Sequence, residues 1–526
     1  MPTRKFDFDV VVVGGGNTAL CAALTAHEAG ARVAIIEAAK PGERGGNSRF
    51  SGTAWRFVHN GKDHLLPLLD QEGLAEADRC SMGEYSEQDF TSDMLSKSGG
   101  RHDRDEIRMI IDHGYDTMKW LADHGVRFKL PLNFWVSHEG KEGVQELASG
   151  VPVVTRDYGR GLVDELWKTT EKTSISVYYT MPAHDLILDG DRVLGVQARS
   201  QDGFCEFYGN VILACGGFEA NPRYHEQMPT MSETLANSFA LRYRMRRQYL
   251  GQGAEFAIVR GSRFNTGTML EKALAAGSQA HGHWGGYHCA PQDANAPLMG
   301  DMKTLDAWER YSFPYSIMVN KAGKRFTDEG EDEISLIYSK VGSAIAGEQE
   351  AKAFQVFDQK TVSLVSEKYK MYATPMQADT LEGLAEKMGV NIDNLTSTVK
   401  SFNAATQAGK NFDPYSNDGM STADGYSPRK SNWAQPIDSP PYVAYAVTVG
   451  ITFTFGGIKT DTSARVLNNE GSVMPGLYAM GEMTGGFYYG YAAGASLIRS
   501  SVMARVAGKH AAENLQKDGT AIAPKL

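Results

Sequence analysis

A glycine-rich segment near the start of the chain has the residue types and spacing that a bound pyrophosphate requires. In Gly14-x-Gly16-x-x-Ala19, Gly14 permits a tight turn and Gly16 lets the backbone approach phosphate oxygens. Ala19, where a third glycine is common, still allows a helix to pack closely on a strand. Glu37 stands 23 residues after Gly14, where a carboxylate can accept hydrogen bonds from ribose hydroxyls. These residues predict a dinucleotide site.

The elements that must position these residues lie in the same segment. Residues 8–13 form a mostly apolar run of the kind that is buried in a parallel sheet. A helix is expected over residues 18–29, Gly30 ends it, and residues 33–37 form a second strand. This order predicts a right-handed βαβ unit, in which the first N–H groups of the helix face the phosphates.

The length of 526 residues exceeds what one hydrophobic core usually supports, so we expect two or more domains. A further pair of strands is expected near 174–179 and 193–199, and residues 211–214 form another buried strand. Other expected elements are a helix over 103–125, helices over 381–407 around a turn at Gly389, and a polar surface loop over 411–429.

Composition and charge exclude several classes of protein. The net charge of -10 argues against a nucleic-acid partner. Five scattered cysteines have no metal-ligand spacing, so we expect no metal site and a reducing compartment. The most apolar long stretch, residues 443–455, is too short to span a membrane. We therefore expect a cytoplasmic protein; residues 524–526 (PKL) leave a peroxisomal address as the alternative.

Four sequence blocks, in order, carry a resemblance to a known family. They are residues 45–49 (GGNSR), 212–221 (ILACGGFEAN), 265–268 (NTGT) and 476–482 (GLYAMGE). With them, the chain resembles the flavoprotein subunits of fumarate reductase and succinate dehydrogenase. Residues 44–49, 317–330 and 450–457 are most similar to the tricarballylate dehydrogenase-like members of that family.

The resemblance implies the cofactor and the domain plan. It implies an α/β fold in which a Rossmann-type FAD-binding domain, residues 1–269 and 446–526, carries an inserted α+β capping domain, residues 270–445. The cofactor is expected to be FAD. Residues 47–51 (NSRFS) contain no histidine where succinate dehydrogenase attaches its flavin, so non-covalent binding is expected.

The resemblance also implies which residues contact FAD. Glu482 would bind the ribityl chain, and Ser496 and Leu497 would contact the pyrimidine edge of the flavin near a helix amino terminus. The full expected set is Gly14, Gly16, Asn17, Ala19, Glu37, Gly46, Asn47, Ser48, Gly52, Ala214, Gly216, Gly267, Gly481, Glu482, Ser496 and Leu497.

Members of this family form or reduce a C=C bond beside a carbonyl or carboxylate, so a small-molecule substrate is expected. The substrate-pocket histidine of fumarate reductases corresponds to His288, but their three charged anchors correspond to Glu333, Phe453 and Ala492. Burying a carboxylate without such partners is very unfavourable. We therefore expect a substrate less charged than a dicarboxylate, such as an enone, a lactone or an aromatic-like ketone.

Tyrosines stand where the carboxylate-binding residues are missing. Tyr488, Tyr489 and Tyr491 can act as general acids or bases, and the chain resembles 3-ketosteroid dehydrogenases in this respect. With His288 they are the expected catalytic residues; the alternative is aromatic packing around the flavin ring. Tyr315 is a further candidate from the cap.

Two other functions fit the same residues. One is a flavin oxidase that uses oxygen as the electron acceptor. The other is an electron-transfer flavoprotein subunit that needs a partner, although the chain has no iron–sulfur or haem-binding cysteine motif. The sequence leaves the electron acceptor and the oligomeric state open.

Overall fold

The computed structural model describes residues 3–132, 144–221, 244–251, 254, 256–407 and 411–515. The strands are β1 (Arg4–Val13), β2 (Val33–Ile36), β3 (Ala54–Trp55), β4 (Cys80–Ser81), β5 (Phe128–Lys129), β6 (Gln145–Glu146), β7 (Val153–Thr155), β8 (Ser176–Tyr178), β9 (Ala183–Asp189), β10 (Arg192–Ser200), β11 (Gly203–Leu213), β12 (Ile258–Val259), β13 (Ala280–Asp293), β14 (Ile317–Asn320), β15 (Lys352–Phe357), β16 (Met376–Ala378), β17 (Tyr442–Ile458), β18 (Arg465–Leu467) and β19 (Val473–Ala479). The α-helices are α1 (Asn17–Glu28), α2 (Lys62–Leu65), α3 (Gln71–Ala75), α4 (Glu87–Lys97), α5 (Arg104–Asp123), α6 (Tyr158–Thr170), α7 (Arg244–Leu250), α8 (Thr268–Ala275), α9 (Ile334–Ala346), α10 (Glu367–Tyr372), α11 (Leu381–Met388), α12 (Ile392–Ala405) and α13 (Ala495–Glu513).

The central sheet has the strand order β18-β19-β11-β1-β2-β8, and β1 pairs in parallel with both β2 and β11. Val10, Val11 and Val12 of β1 are fully buried, as in a strand covered on both faces. The predicted βαβ unit is confirmed, with α1 between β1 and β2. Parallel pairing brings the carboxyl ends of β1, β2, β11 and β19 to the same edge of the sheet.

The prediction that the strands near 174–179 and 193–199 form a pair is wrong. Strand β8 lies beside β2, whereas β10 pairs with β9 and β11. The reason is local, because a tight turn containing Gly190, with a φ of 55°, joins β9 directly to β10. This hairpin adds antiparallel strands to the edge of β11.

A second sheet is built on the long strand β17. It pairs in parallel with β12 and in antiparallel with β13, β15 and β16, while β14 pairs with β15. Helices α11 and α12 pack on this sheet through an apolar cluster that includes Leu384, Leu395 and Phe402. They confirm the predicted helices over 381–407, and Gly389, with a φ of 66°, ends the first. The proposed boundaries at 270 and 445 stay predictions, and β17 extends across the second.

The two sheets meet at one cavity. An added Cβ at Gly457, near the end of β17, would lie 2.3 Å from the backbone nitrogen of Gly485, so the strand packs directly on the turn after β19. Helix α13 packs against α1, where a Cβ at Gly508 would lie 2.3 Å from the carbonyl oxygen of Ala22. In the described part of the chain, no helix has the length and apolarity to cross a bilayer. Residues 524–526 lie outside the described residues.

Candidate active site

One continuous cavity lies between the carboxyl edge of the central sheet and the second sheet. It is lined by Gly14, Gly16, Asn17, Glu37, Gly46, Asn47, Ser48, Gly52, Ala214, Gly216, Gly267, Gly481, Glu482, Ser496 and Leu497. These are the expected FAD-contacting residues with the exception of Ala19. That residue is fully buried within α1, behind the cavity wall.

Two glycines shape the wall beneath the cavity because a side chain would not fit there. Gly14 has a φ of 116°, and an added Cβ would lie 2.4 Å from the carbonyl oxygen of Ala214. Gly216 has a φ of 78°, and its Cβ would lie 2.5 Å from Nδ2 of Asn265. The open backbone at the start of α1 fits a pyrophosphate, whose charge the helix dipole favours.

Glu37 fits a ribose at the same end of the cavity. Its side chain is buried at the end of β2, and its Oε1 accepts a hydrogen bond of 2.7 Å from the backbone N–H of Ala39. Burial raises the pKa of Glu37 to about 7. A Cβ at Gly15 would lie 2.3 Å from Oε2, so the carboxyl group is held against the glycine turn. A buried acceptor in this position suits hydroxyl donors.

Glu482 has a second acid beside it that the sequence did not indicate. Glu219 is fully buried, Glu482 is half-buried at the cavity wall, and their carboxyl groups contact each other. Asn265 donates to Glu219 over 2.7 Å, and the backbone N–H of Thr454 donates to Glu482 over 2.8 Å. Asn47 also donates to Glu219, over 2.7 Å. Burial raises the pKa of both carboxyl groups.

The amino terminus of α13 lines the cavity through Ser496 and Leu497. Tyr491 closes this end, because its hydroxyl oxygen accepts hydrogen bonds from the backbone N–H groups of Gly494, at 3.0 Å, and Ser496, at 3.4 Å. A helix amino terminus at this position stabilises negative charge on a bound group. Tyr491 therefore has a structural role that the sequence did not suggest.

His288 lies in the part of the cavity that is farther from the glycine turn, and it is buried. Its Nδ1 is 3.0 Å from the Oγ of Ser339, and its Nε2 is 3.0 Å from the hydroxyl of Tyr338. The ring centres of Tyr491 and Phe453 are 4.4 Å and 5.0 Å from that of His288. Burial, with the nearby Arg260 guanidinium, holds the pKa of His288 well below its usual range. The imidazole is therefore neutral.

The structure brings His288 and Tyr491 together but places the other expected tyrosines elsewhere. Tyr489 is 61% exposed and, like the half-buried Tyr488, does not line the cavity. Tyr315 is buried in the second sheet region and donates its hydroxyl to the carbonyl oxygen of Pro414 over 2.7 Å.

The cavity around His288 is completed by one of the three positions that correspond to the charged anchors of fumarate reductases, and by residues that the sequence did not indicate. Phe453 lines the cavity, whereas Glu333 and Ala492 do not. The lining residues that sequence reasoning missed are Tyr158, Arg260, Asp306, Glu309, Tyr311, Tyr338 and Lys368. No local motif marks them, since they come from five separate segments that meet only after folding. The available signal was the block at 317–330, because the helix that carries Tyr338 begins at Ile334, directly after it.

Comparison with known proteins agrees with this geometry. The family described as FAD binding domain matches residues 9–497. NADH:acrylate oxidoreductase of Vibrio harveyi is 25% identical and is matched over 96% of this chain, which spans 50% of that protein. A 3-oxosteroid 1-dehydrogenase of Mycobacterium tuberculosis is 25% identical over 91% of this chain and 93% of the relative.

The fold agrees as well. The open conformation of a flavocytochrome c3 fumarate reductase superposes with a TM-score of 0.68 at 21% identity, over 97% of this chain and 78% of that one. The match to the family covers most of the sequence, and the cavity walls fit a pyrophosphate, a ribose and an anionic ring system. The chain therefore belongs to the FAD-binding domain family and is an FAD-dependent oxidoreductase.

Proposed function

We propose that this oxidoreductase forms or reduces a C=C bond adjacent to a carbonyl group. The observation that carries the proposal is the pair formed by neutral His288 and the Tyr338 hydroxyl, in an aromatic compartment that is continuous with the cofactor cavity. FAD, when bound, supplies the acceptor or donor of the hydride. The names of the relatives fit this class, since acrylate carries a C=C bond beside a carboxyl group and a 3-oxosteroid carries a ketone.

His288 and Tyr338 supply the proton chemistry. Burial raises the pKa of Tyr338 well above its usual value, so its hydroxyl carries a proton at neutral pH. The Nε2 atom of neutral His288 can accept that proton when Tyr338 takes one from the substrate, and Ser339 holds the opposite ring nitrogen. The pair thus supports proton removal during desaturation. C=C reduction is the reverse, in which His288, after it takes up a proton from solvent, returns a proton to Tyr338 as Tyr338 donates its own to the substrate.

The walls of the compartment favour a substrate with an apolar reacting end. Phe453 and Tyr491 contact the His288 ring. Phe487 also lines the cavity, with its ring centre 5.6 Å from that of Phe453 and 5.4 Å from that of Tyr491. Flat aromatic walls suit a conjugated ketone, which can stack on them. The three anchors of a dicarboxylate substrate are replaced in this chain, so the proposed substrate carries an enone or a saturated ketone at this end.

The test is a substrate screen with the flavin-loaded protein in the absence of oxygen. Saturated cyclic ketones should bleach the flavin absorption, or cyclohex-2-enone should restore it after chemical reduction. Fumarate, succinate and tricarballylate are the comparison compounds and should react slowly. Saturable turnover of any of these three at the rate of the neutral enone would contradict the proposed substrate class, and no reaction with any ketone would contradict the proposed chemistry.

A further inference from the structure

Four charged side chains line the cavity beyond His288. We call Arg260, Asp306, Glu309 and Lys368 the charged group. Arg260 follows β12, the two acids lie between β13 and β14, and Lys368 is on α10. None of them transfers a proton or a hydride in the reaction proposed above, which Arg260 enters only through its effect on the pKa of His288. Ionised side chains are seldom placed in a buried cavity without a ligand or a partner, so their arrangement calls for an explanation.

Their contacts form a closed network. Arg260 Nε donates to Asp306 Oδ1 over 2.7 Å, and an Arg260 terminal nitrogen lies 3.7 Å from Glu309 Oε2. Lys368 Nζ lies 2.9 Å from Glu309 Oε1 and donates to the backbone oxygen of Asp306 over 3.0 Å. Lys368 Nζ also lies 3.5 Å from Asp306 Oδ2. Two cations therefore share two acids, and each acid contacts both cations.

The charge of this network depends on Glu309. The ionisable groups that face it are Lys368, Arg260, Asp306, Tyr158, Tyr311 and Tyr338. Burial and Asp306 raise the pKa of Glu309 to about 7 against the effect of the two cations, whereas Arg260 and Lys368 hold the pKa of Asp306 below its usual value. With Glu309 protonated the group carries one net positive charge; with Glu309 ionised it carries none.

The charged group is connected to the reacting end of the cavity. The guanidinium of Arg260 lies 5.9 Å from the ring centre of Tyr311, and the Tyr311 ring lies 5.2 Å from that of Tyr338. Tyr338 in turn contacts His288. All of these residues line the same cavity, so a single elongated ligand can contact both ends.

We propose that Arg260 and Lys368 form a binding subsite for one carboxylate on the substrate, which enters as Glu309 takes up a proton. This inference rests on the proposed function, because it places a ketone at His288 and Tyr338 and an acid at the opposite end. The substrate class is then a keto acid with one anionic group. A single net positive charge matches a single carboxylate, and the enclosed site makes that match stronger than it would be in water.

Proton uptake on Glu309 gives the subsite a pH dependence. For a group that titrates near pH 7, binding of a carboxylate should weaken about tenfold between pH 6 and pH 8. A neutral amide of the same shape should bind equally at both values. The E309Q variant keeps the net positive charge at every pH, so its carboxylate affinity should stay constant.

Binding, rather than turnover, is the measurement that isolates this proposal. The probes are 4-hydroxybenzoate and 3-(4-hydroxyphenyl)propanoate, each with its amide, added to the oxidised flavin-loaded protein and followed by flavin absorbance and calorimetry. At pH 6 at least one acid should bind tenfold or more tightly than its amide. K368M should remove this preference. Lys370, on the same helix, is paired with Glu367 at the surface, so K370M is the matched control.

The outcomes separate the two proposals. Equal binding of acid and amide at both pH values, or an unchanged preference in K368M, would overturn the carboxylate subsite. The K368M/E309Q double variant removes one positive and one negative charge, and Arg260 stays paired with Asp306. It leaves no unpaired charge in the cavity, so a loss of the carboxylate preference in this variant does not come from a folding defect. A carboxylate preference in a protein that reacts with no ketone would instead contradict the proposed reaction and leave the subsite intact.

Discussion

Replacing Tyr338 with Phe tests the proton chemistry most directly. The change removes the hydroxyl that lies 3.0 Å from Nε2 of His288 and keeps the ring, whose centre is 5.1 Å from that of His288 and 5.2 Å from that of Tyr311. General acid–base catalysis contributes about 10²–10⁴-fold to a rate. Losing it raises the barrier by about 3–5 kcal/mol, since each tenfold change corresponds to about 1.4 kcal/mol.

The assay is the half-reaction between the flavin and its best ketone, followed anaerobically by stopped-flow absorbance. Tyr489→Phe is the matched control, because Tyr489 is exposed and lies outside the cavity. We expect full flavin content in both variants and a large rate loss in Tyr338→Phe alone. A Tyr338→Phe rate within about threefold of the natural protein would refute the assignment, because a group that transfers the proton cannot be removed at so small a cost.

Three further predictions concern the cofactor and the stability of the fold. Tyr491→Phe should lower the free energy of unfolding by about 1 kcal/mol, the usual effect of losing a helix cap, with a smaller rate loss than Tyr338→Phe; thermal unfolding and the half-reaction check this. Acid precipitation should release FAD into the supernatant, because the block at 47–51 lacks a histidine; flavin that stays with the pellet would show a covalent link. Burial lowers the pKa of Lys430 to about 8. Because the unfolded chain binds that proton up to about pH 10.5, stability should rise as the pH rises from 8 toward 10.5, and Lys430→Met should flatten that rise in the thermal midpoint.

The cofactor half of the site could be predicted from the sequence because its determinants are local. The turn at Gly14, the helix that follows it and Glu37 lie within one βαβ unit, so spacing along the chain reports spacing in the fold. The later blocks 212–221 and 476–482 could be placed by resemblance because each includes the end of a strand, β11 or β19, that joins the same sheet. The predicted pairing of β8 with β10 was wrong because the neighbour of a strand depends on the topology of the whole sheet and not on local spacing along the chain.

The substrate half could not be predicted in the same way. Tyr338 lies on an apolar helix, where a tyrosine is indistinguishable from a core residue by pattern alone. Arg260 and Lys368 are more than 100 residues apart in the sequence and meet through two acids from a third segment. The run of three tyrosines near 488–491 offered a stronger pattern, but only Tyr491 points into the cavity.

The contact between Glu219 and Glu482 leads to a final prediction. Two carboxylates in contact repel each other strongly when both are ionised, and their partners, which are amide, hydroxyl and backbone N–H groups, carry no positive charge. The Oε2 atom of Glu219 is buried and has no donor among the described residues. One proton held between the two carboxyl groups provides that donor, so we expect the pair to carry one negative charge rather than two.

Because burial raises the pKa of both groups, the folded protein should keep this proton at a pH where the unfolded chain has lost it. The stabilisation is complete below the ordinary carboxyl pKa and is lost as the pH rises toward the folded value, so stability should fall across that window. The infrared difference spectrum between the flavin-loaded protein and its E219Q variant should contain a protonated carboxyl band, because E219Q leaves Glu482 as a carboxylate bonded to an amide. The exposed Glu367→Gln is the control and should keep the band. A band that survives unchanged in E219Q would show that the proton is held elsewhere. Glu219 and Glu482 would then require a second hydrogen-bond donor, which the geometry around Asn265 and Thr454 does not supply.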